Sequence, residues 1–445
     1  MVLNAETKDD VMKLADDHNV KFIRLWFSDI KGKLKSFSIT REELECALDE
    51  GMGFDGSSIE GYRDIEESDM IAMPDPKTFQ LLSWRQENGT GVGRMICNVL
   101  TPDGKPYEGD PRYVLKKQIK KIEKEGYTFY VGPEAEYFYF ADSNGTEILD
   151  KGGYFDLVPL DLAANFRRDT IFALEDMGIK VEYSHHEVAP SQHEIDLHYT
   201  EGLRMADAVQ TYKLVVKQTA MQNGIYATFM PKPIFGENGS GMHTHQSLFK
   251  GDKNLFFDKN DKAYLSKMAK HYIAGVLKHA YELTSILNPI VNSYKRLVPG
   301  YEAPVYVAWA QRNRSALVRV PIYKPGREKA TRIEWRSPDP TCNPYLAFAV
   351  MLAAGMEGVN KKYDLADPVE KNIFKMSEAD MKKADIQMLP GSLKEAIDAT
   401  AESDLARKVL GDHVFNRYIE IKNREWDEYR LHVSQWELDR YLPIY

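Results

Sequence analysis

The first hundred residues alternate between short hydrophobic runs and polar turns, a pattern that predicts a small α+β unit. The predicted elements, in chain order, are a helix at 5–18, a hairpin of strands at 20–27 and 34–39, a helix at 41–50, a glycine-rich loop at 51–58, and strands near 79–84 and 93–100. Turn-forming residues fill 101–106, so we expect a domain boundary after residue 105.

The rest of the chain predicts a larger unit in which long helices separate strand-like segments. The helices are expected at 111–125, 161–177, 201–223, 264–287 and 344–361, with a mostly helical tail at 393–438. At 445 residues the chain is longer than one ordinary core, which favours two domains, 1–105 and 106–445.

Four of the strand-like segments place acidic, histidine or arginine side chains two residues apart. These segments contain Glu134 and Glu136, then His185, Glu187, His193 and Glu194, then His243 and His245, and finally Arg332, Glu334 and Arg336. Side chains at positions i and i+2 of a strand point to the same face, so four such strands can line one polar cavity. The glutamates and a histidine gathered there would repel one another unless divalent cations held them.

Each segment taken alone has a plainer interpretation. Glu134 and Glu136 could be a solvated pair on an edge strand, although aromatic residues on either side of them favour a buried strand. The histidines and glutamates of 185–194 could lie on the surface, on either side of a turn at Pro190 and Ser191. An H-x-H pair could bind zinc, but the accompanying carboxylates and the lack of a nearby cysteine favour Mg²⁺ or Mn²⁺.

Composition narrows the class of partner. The net charge of −9 and the pI near 5.8 argue against nucleic acid or an anionic membrane as the main partner. No apolar run is long enough to span a bilayer, and the N-terminus has no signal-peptide core. The three cysteines are widely spaced and fit neither a disulfide framework nor a zinc site, so we expect reduced thiols and a cytoplasmic protein.

One region of this acidic chain is strongly basic. Residues 296–336 contain seven arginines and two lysines against three glutamates, a net charge of +6. Arginine is the preferred side chain for binding carboxylates and phosphates, and together with metals it points to phosphoryl transfer to an anionic substrate. No P-loop motif is present, and 89–93 is not a dinucleotide-binding fingerprint, so a nucleotide would have to bind without either of these two motifs. A two-metal hydrolase remains an alternative on the residues alone.

Several longer motifs carry a family resemblance. The segments are 54–58 (FDGSS), 132–136 (GPEAE), 229–233 (FMPKP), 238–243 (NGSGMH) and 292–302 (NSYKRLVPGYE). They resemble the signatures of type I glutamine synthetase, nearly from end to end. The resemblance implies an α+β fold, with a small β-grasp N-terminal domain and a larger catalytic domain whose curved antiparallel sheet is flanked by helices. It also implies ligation of ammonium to glutamate at the expense of ATP, through a γ-glutamyl phosphate.

The same resemblance implies a role for each motif residue. One of two Mg²⁺ or Mn²⁺ ions would be held by Glu136, Glu187 and Glu194, and the other by Glu134, His243 and Glu334. The substrate side would consist of Ser58, Tyr154, Asn238, Gly239, Arg296 and Arg336, and the nucleotide side of Tyr199, His245, Ser247, Lys329 and Arg332. The catalytic residues would be Arg314, Arg319, the flap residue Glu302, and Asp55 supplied by a neighbouring subunit.

The resemblance also implies a homododecamer of two stacked hexameric rings, whose apolar C-terminal residues reach into the opposite ring. Two departures bear on regulation. Phe374 stands where the adenylylated subgroup has a tyrosine, which places the chain with the alpha subgroup, and Asp64 stands where glutamine-sensing members have an arginine. The sequence therefore does not decide whether glutamine inhibits the enzyme. The candidate regulators are 2-oxoglutarate, bound near Arg85 and Arg168, or a nitrogen-signalling regulatory protein.

Two other hypotheses for the function compete with glutamine synthesis. A ligase of the same superfamily could use an amine in place of ammonium, but Asp55 and Glu302 match ammonium-site residues. A non-catalytic relative could lose its metal ligands, yet all six matching positions are filled here.

Overall fold

The computed structural model describes residues 3–62, 68–85, 89–301, 303–384 and 386–445, without the side chains of Arg85, Phe374 and Glu378. Asp64 and the flap residue Glu302 therefore lie outside the described residues. Among the described helices, none combines the length and apolarity that a membrane crossing requires.

The N-terminal sheet is built from six strands. They are β1 (Val20–Ser28), β2 (Leu34–Thr40), β3 (Met52–Asp55), β4 (Asp69–Pro74), β5 (Gln80–Leu81) and β6 (Gly91–Leu100), in the order β2-β1-β6-β4-β3 with β5 on β6. The predicted hairpin is confirmed, with Ile23 opposite Ile39, while β1 and β6 run parallel at the sheet centre. Helices α1 (Lys8–Asp17) and α2 (Leu44–Glu50) complete the unit, as predicted.

The prediction of a loop over 51–58 is wrong for its first half. Residues of β3 pair with β4, Phe54 opposite Met70 and Asp55 opposite Asp69, and a single 3₁₀ turn over Gly56–Ser58 follows. Glycine weakens a strand only locally, and β4 supplies the hydrogen-bonding partner. That partner could not be read from the glycine-rich segment itself.

The larger unit contains two sheets. A four-stranded sheet has the order β12-β8-β10-β9, and a seven-stranded sheet has the order β11-β7-β13-β17-β16-β15 with β14 on β13. The strands are β7 (Thr128–Ala135), β8 (Tyr137–Phe140), β9 (Val181–His186), β10 (Gln192–Leu197), β11 (Thr200–Glu201), β12 (Tyr226–Thr228), β13 (Met242–Lys250), β14 (Lys253–Asn254), β15 (Tyr306–Ala310), β16 (Ala316–Arg319) and β17 (Ile333–Trp335). Pairing is antiparallel except between β15 and β16.

The expected continuous strand through Glu134 and Glu136 is interrupted at Glu136. Glu134 belongs to β7 in the seven-stranded sheet, whereas β8, which begins at Tyr137, pairs with β10 in the four-stranded sheet. Glu136 itself lies at the junction, where its amide donates to the carbonyl of Gly241 at 3.0 Å. The two glutamates thus link the two sheets.

Helices cover the sheets and form the main core. They are α3 (Pro111–Glu123), α4 (Ala164–Asp176), α5 (Gly202–Gln222), α6 (Lys267–Leu287), α7 (Ser293–Arg296), α8 (Pro344–Lys361), α9 (Glu378–Lys383), α10 (Leu393–Ala401), α11 (Asp404–Leu410), α12 (Asp412–Arg430) and α13 (Gln435–Tyr441). Helices α6 and α8 approach so closely at Gly275 that a methyl group there would lie 2.2 Å from the Ala354 carbonyl oxygen. The long predicted helices are therefore confirmed, and α8 has the predicted bounds.

One buried arginine on α3 joins the N-terminal sheet to the larger unit. The Arg112 guanidinium donates to both carboxylate oxygens of Asp207 at 3.0 and 2.8 Å, to Asp75 at 2.9 Å and to the Asn98 amide oxygen at 2.7 Å. Asn98 lies on β6 and Asp75 directly follows β4, both in the N-terminal unit, and Asp207 lies on α5. Arg112 is only 3% exposed, so water could not easily take over its hydrogen bonds to these partners if the guanidinium were removed.

We expect Arg112→Met to lower the free energy of unfolding by about 3–5 kcal/mol, because it leaves the buried carboxylate of Asp207 without its counter-charge. Urea unfolding followed by circular dichroism measures this loss. Lys394→Met is the matched control, since it breaks an exposed i,i+4 pair with Asp398 and should cost less than about 1 kcal/mol. Equal midpoints for the two variants would contradict this role for Arg112.

Candidate active site

The first cluster of metal-ligating side chains lies across three neighbouring strands of the seven-stranded sheet. His243 on β13 pairs directly with Glu134 on β7, and Glu334 on β17 lies opposite His245 on β13. The Nδ1 atom of His243 is 3.6 Å from Glu134 Oε2 and 3.8 Å from Glu334 Oε1. These distances exceed hydrogen bonds and leave a gap between the three donor atoms, which all lie within 4.8 Å of one another.

Neighbouring groups keep this cluster ready to bind a cation. Burial opposes ionisation of Glu134, but His245 and His243 hold the pKa of Glu134 well below its usual range. Arg336 and the same histidines likewise outweigh burial and lower the pKa of Glu334. Burial, followed by the charge of Arg336, lowers the pKa of His243, which favours the neutral imidazole that ligates metals.

His245, two residues along β13, orients Glu134. The Arg332 guanidinium donates from Nε to His245 Nδ1 at 3.2 Å, which puts the imidazole proton on Nε2. That Nε2–H donates to Glu134 Oε1 at 2.7 Å. Glu134 Oε2 is thereby left facing His243.

The second cluster lies on the four-stranded sheet, in the predicted hairpin of β9 and β10. Ser191 turns the chain with a φ of +59°, and Glu194 pairs with His185 across the hairpin. Ligand atoms of His185, Glu187 and Glu194 lie within 4.8 Å of one another. The expected set of Glu136, Glu187 and Glu194 lines one cavity, but His185 is nearer to the two hairpin glutamates, with Nε2 2.9 Å from Glu187 Oε1.

Glu136 is anchored beside this cluster. Its Oε2 accepts from Gln192 Nε2 at 2.9 Å and from the Gly241 amide at 3.0 Å. Burial and the neighbouring carboxylate of Glu187 raise the pKa of Glu136 well above its usual range. Burial and the adjacent Asp196 do the same to the pKa of Glu194. A divalent cation would remove this penalty, and the donors, carboxylate oxygens with imidazole, suit Mg²⁺ or Mn²⁺.

Two cavities meet at these clusters. The smaller, of about 260 Å³, contains the six predicted ligands together with Tyr154, Asn238, Gly239, Arg296 and Arg336. The larger, of about 920 Å³, is lined by all five residues predicted on the nucleotide side: Tyr199, His245, Ser247, Lys329 and Arg332. Glu134, Tyr183, Arg314 and Arg319 line both cavities and so mark their junction.

Arginines hold Glu334 from two sides at this junction. Arg319 donates from Nε to Glu334 Oε2, and Arg336 donates from Nε to Glu334 Oε1 at 3.0 Å. Arg319 also lies opposite Glu334 in the pairing of β16 with β17. The carboxylate of Glu334, a predicted metal ligand, is thus held in place by two arginines that line the cavity.

Backbone carbonyls hold the buried Arg296. It donates from Nη1 to the carbonyl of Ser337 at 2.7 Å and from Nη2 to that of Arg336 at 3.2 Å. A methyl group on Gly241 would lie 2.5 Å from Arg296 Nη2, and one on Gly239 would lie 2.3 Å from the Pro231 carbonyl oxygen. The glycine-rich segment therefore lets the backbone close over this guanidinium.

Two predicted site residues do not join the others within one chain. Asp55 is exposed, its carboxylate accepting from Ser57 N and Oγ at 2.8 and 2.7 Å, and neither Asp55 nor Ser58 lines either cavity. Tyr154 does line the smaller cavity, and burial together with the nearby Glu187 raises its pKa.

Sequence reasoning gave no role to several residues that shape the site. Tyr183 lines both cavities, and Gln192 holds Glu136. Asp196 is 4% exposed and groups with Glu134 and Glu194. Asp196 follows Glu194 by two residues, so the same i, i+2 rule could have found it, whereas Tyr183 and Gln192 have no comparable signal.

Two sequence profiles of one protein family together match most of the chain. The sequence profile of the glutamine synthetase catalytic domain matches residues 108–441, and that of the glutamine synthetase beta-Grasp domain matches 19–102. The chain is 53% identical to the glutamine synthetase of Methanosarcina mazei over 442 residues, covering 98% of both chains. It is 51% identical to that of Thermotoga maritima over 442 residues, covering 98% of this chain and 100% of the relative.

Two solved structures superimpose on the chain at lower sequence identity. A "GmaS/ADP complex" superimposes with a TM-score of 0.89 at 27% identity, over 97% of this chain and 99% of the other. The glutamine synthetase of Plasmodium falciparum superimposes with a TM-score of 0.89 at 26% identity, over 99% of both chains.

Proposed function

The chain belongs to the glutamine synthetase family, and on that premise we propose how its two connected cavities divide the reaction. It is an enzyme that joins ammonium to L-glutamate, using ATP and divalent metal, and its fold is a β-grasp domain followed by a larger catalytic domain. The reaction passes through γ-glutamyl phosphate and releases glutamine, ADP and phosphate.

The larger cavity takes ATP and the smaller takes glutamate and ammonium. One observation carries this division: Arg314, Arg319, Glu134 and Tyr183 line both cavities, so a phosphoryl group at their junction reaches both substrates. Arginine forks aimed at this point offset the charge that the phosphoryl group carries between donor and acceptor. On the nucleotide side, Lys329 and Arg332 supply further cations, and Tyr199, His245 and Ser247 complete the wall.

Two Mg²⁺ or Mn²⁺ ions fit the two clusters. Glu134, His243 and Glu334 would hold the ion on the nucleotide side. Glu136, Glu187 and Glu194, which line the smaller cavity, would hold the ion on the glutamate side. Bound there, the ions supply charge neutralisation and fix the orientation of the phosphates. The raised pKa values of Glu136 and Glu194 support the second ion, because these carboxylates are costly to keep ionised without a counter-cation.

The chain's own residues orient glutamate. Arg336 and Arg296 present cationic groups to the smaller cavity, and Asn238 and Gly239 form the wall beside them. Because Arg296 is already anchored to backbone carbonyls, its guanidinium keeps one orientation as substrate enters. A fixed carboxylate clamp brings the γ-carboxylate to the phosphoryl group in one geometry.

Ammonium must lose a proton before its nitrogen can attack the acyl phosphate. We assign this step to a pocket formed by Tyr154 and Glu187 of one chain and completed by Ser58 and Asp55 of a neighbouring subunit, with Asp55 accepting the proton. The exposed carboxylate of Asp55, which lines neither cavity of its own chain, supports a shared site. Glu302 would close over the intermediate and keep water from it.

A shared site requires an assembly, for which we propose a homododecamer of two stacked hexameric rings. Large apolar side chains are exposed in two segments, Leu157, Val158, Leu160 and Leu162 in one and Leu431, Val433, Trp436, Leu442 and Ile444 in the other. Exposed apolar segments of this kind mark protein interfaces.

The finer classification follows from particular residues. Phe374 has no hydroxyl to adenylylate, which supports the alpha subgroup. We divide the chain into domains at 1–105 and 106–445, and profile matches that end at 102 and begin at 108 support this division. Free Cys46, Cys97 and Cys342 support a cytoplasmic location.

For regulation we keep two candidates, 2-oxoglutarate and a nitrogen-signalling regulatory protein. Arg168 on α4 is exposed, which suits an anionic effector at a subunit contact, although its guanidinium is engaged by Asp169 at 3.0 Å. A 2-oxoglutarate titration that changes neither rate nor affinity in the activity assay would eliminate the first candidate.

The proposed function is tested by ATP-dependent phosphate release with glutamate, ammonium and Mg²⁺, each omitted in turn. We expect turnover to require all four components, since phosphorylated glutamate is trapped only by ammonium. Methylamine in place of ammonium is the matched control for the amine-ligase alternative. Turnover with methylamine but none with ammonium would overturn the assignment of the second substrate.

A further inference from the structure

An irregular segment between β8 and α4 lies against the hairpin that carries Glu187 and Glu194. The segment, 149–162, contains Tyr154, which lines the smaller cavity with its ring centroid 5.3 Å from that of His185. The Phe155 amide donates to the carbonyl of His186 at 3.1 Å. The wall of the proposed ammonium pocket is thus made of two parts of the chain, the segment 149–162 and the hairpin, whose relative position must stay fixed.

A buried carboxylate joins the two pieces. Asp150, 6% exposed, accepts through Oδ1 from the Ser191 amide at 3.1 Å and lies 2.9 Å from His186 Nε2. Its Oδ2 accepts from the Leu162 amide at 3.1 Å, at the far end of the same segment. Ser191 returns the contact, its Oγ accepting from the Leu149 amide at 2.6 Å. The ends of the segment are therefore pinned to the hairpin turn.

His186 extends this connection to the ligand residue. Its Nδ1 lies 2.7 Å from the carbonyl of Glu187 and must donate, since a carbonyl can only accept. One ring nitrogen, Nδ1, thus binds the backbone of Glu187, and the other, Nε2, contacts Asp150. The imidazole is 1% exposed, so water does not compete for either bond.

Asp150 and His186 also group with His193, which raises the question of a third cation site. The Arg167 guanidinium donates from Nη1 to His193 Nδ1 at 2.9 Å, so the neutral ring carries its proton on Nε2. A protonated nitrogen cannot ligate a metal, and the neighbouring guanidinium adds repulsion. The group therefore acts through hydrogen bonds.

Close packing fixes the segment against His186 at Gly152. A methyl group on the buried Gly152 would lie 2.8 Å from His186 Nε2 and 2.9 Å from Cδ2. At the next residue, Gly153, the nearest atom to such a methyl group would be Asp156 Oδ2 at 3.6 Å, an ordinary contact. The chain thus fits against the imidazole at one position and not at its neighbour.

We propose that Asp150 and His186 are positioning residues for the ammonium step: they hold the Tyr154 segment against the Glu187 hairpin so that both sides of the ammonium pocket keep one geometry. The proposal rests on the proposed assignment of Tyr154 and Glu187 to that pocket. Neither Asp150 nor His186 is required to touch a substrate.

The test compares Gly152→Ala with Gly153→Ala, two substitutions that leave every ionisable group in place. We expect Gly152→Ala to raise KM for ammonium about tenfold or more, with KM for ATP unchanged, because a small displacement of a positioning wall is costly. Gly153→Ala should keep the wild-type values. Equal effects of the two variants, or equal changes in both KM values, would overturn the proposal.

A double-mutant cycle separates this proposal from the assignment on which it rests. Tyr154→Phe and Asp150→Asn are measured singly and together, as kcat/KM for ammonium. If Asp150 acts by placing Tyr154, the double variant should lose less than the product of the single losses. Simple multiplication of the losses would overturn the positioning role alone, whereas a Tyr154→Phe variant with wild-type kcat/KM would overturn the pocket assignment and the proposal with it.

Discussion

Replacing Glu334 by glutamine should lower kcat for glutamine formation by about a thousandfold, the size of effect seen when charge stabilisation is removed from a transition state. The carboxylate lies 3.8 Å from His243 Nδ1 and accepts from both Arg319 and Arg336. An amide would lose the charge that a cation needs and would present an N–H group to one of two guanidinium donors. The substitution therefore disturbs a metal ligand and two arginines together.

Steady-state phosphate release and Mg²⁺ or Mn²⁺ titration calorimetry measure this effect. Glu357→Gln is the matched control, since Glu357 also lies near a histidine, with Oε1 3.7 Å from His279 Nε2, and pairs with Lys361, but it lines neither cavity of the site. We expect the control to keep wild-type kcat and metal affinity. A Glu334→Gln enzyme that turns over at the wild-type rate would rule out the nucleotide-side ligand set.

The second prediction concerns the shared site. Asp55→Ala and Glu334→Gln should each be nearly inactive, yet random co-assembly of the two in equal amounts should restore about a quarter of wild-type activity. The reason is combinatorial: a subunit with intact Glu334 regains function only when the neighbour that serves it has an intact Asp55. The measurement is phosphate release after joint refolding or co-expression of the two chains.

Wild type mixed equally with the double variant is the control. A shared site leaves about a quarter of the sites intact in that mixture, whereas a site contained in one chain leaves about half. Mixed single variants that stay inactive, together with half activity in the control, would show that Asp55 serves its own chain.

Much of the site could be read from local pattern. The i, i+2 spacing on strand-like segments identified five glutamates and three histidines that do lie together, because alternation along a strand is a local property of the backbone. The long helices were equally readable, since α6 and α8 are apolar over many turns. The prediction of a loop over 51–58 was wrong for the residues of β3, because their strand pairing depends on β4, which lies further along the chain.

By itself, the sequence determined which side chains face inward, the residue types that suit hard divalent cations, and the family to which the chain belongs. The tertiary structure decided how those side chains are grouped. The break at Glu136 assigns Glu134 to one sheet and the hairpin glutamates to another, and the pairing of β7 with β13 and of β13 with β17 sets which ligands face each other. Register between strands separated by a hundred residues depends on long-range hydrogen bonds, which no local pattern contains.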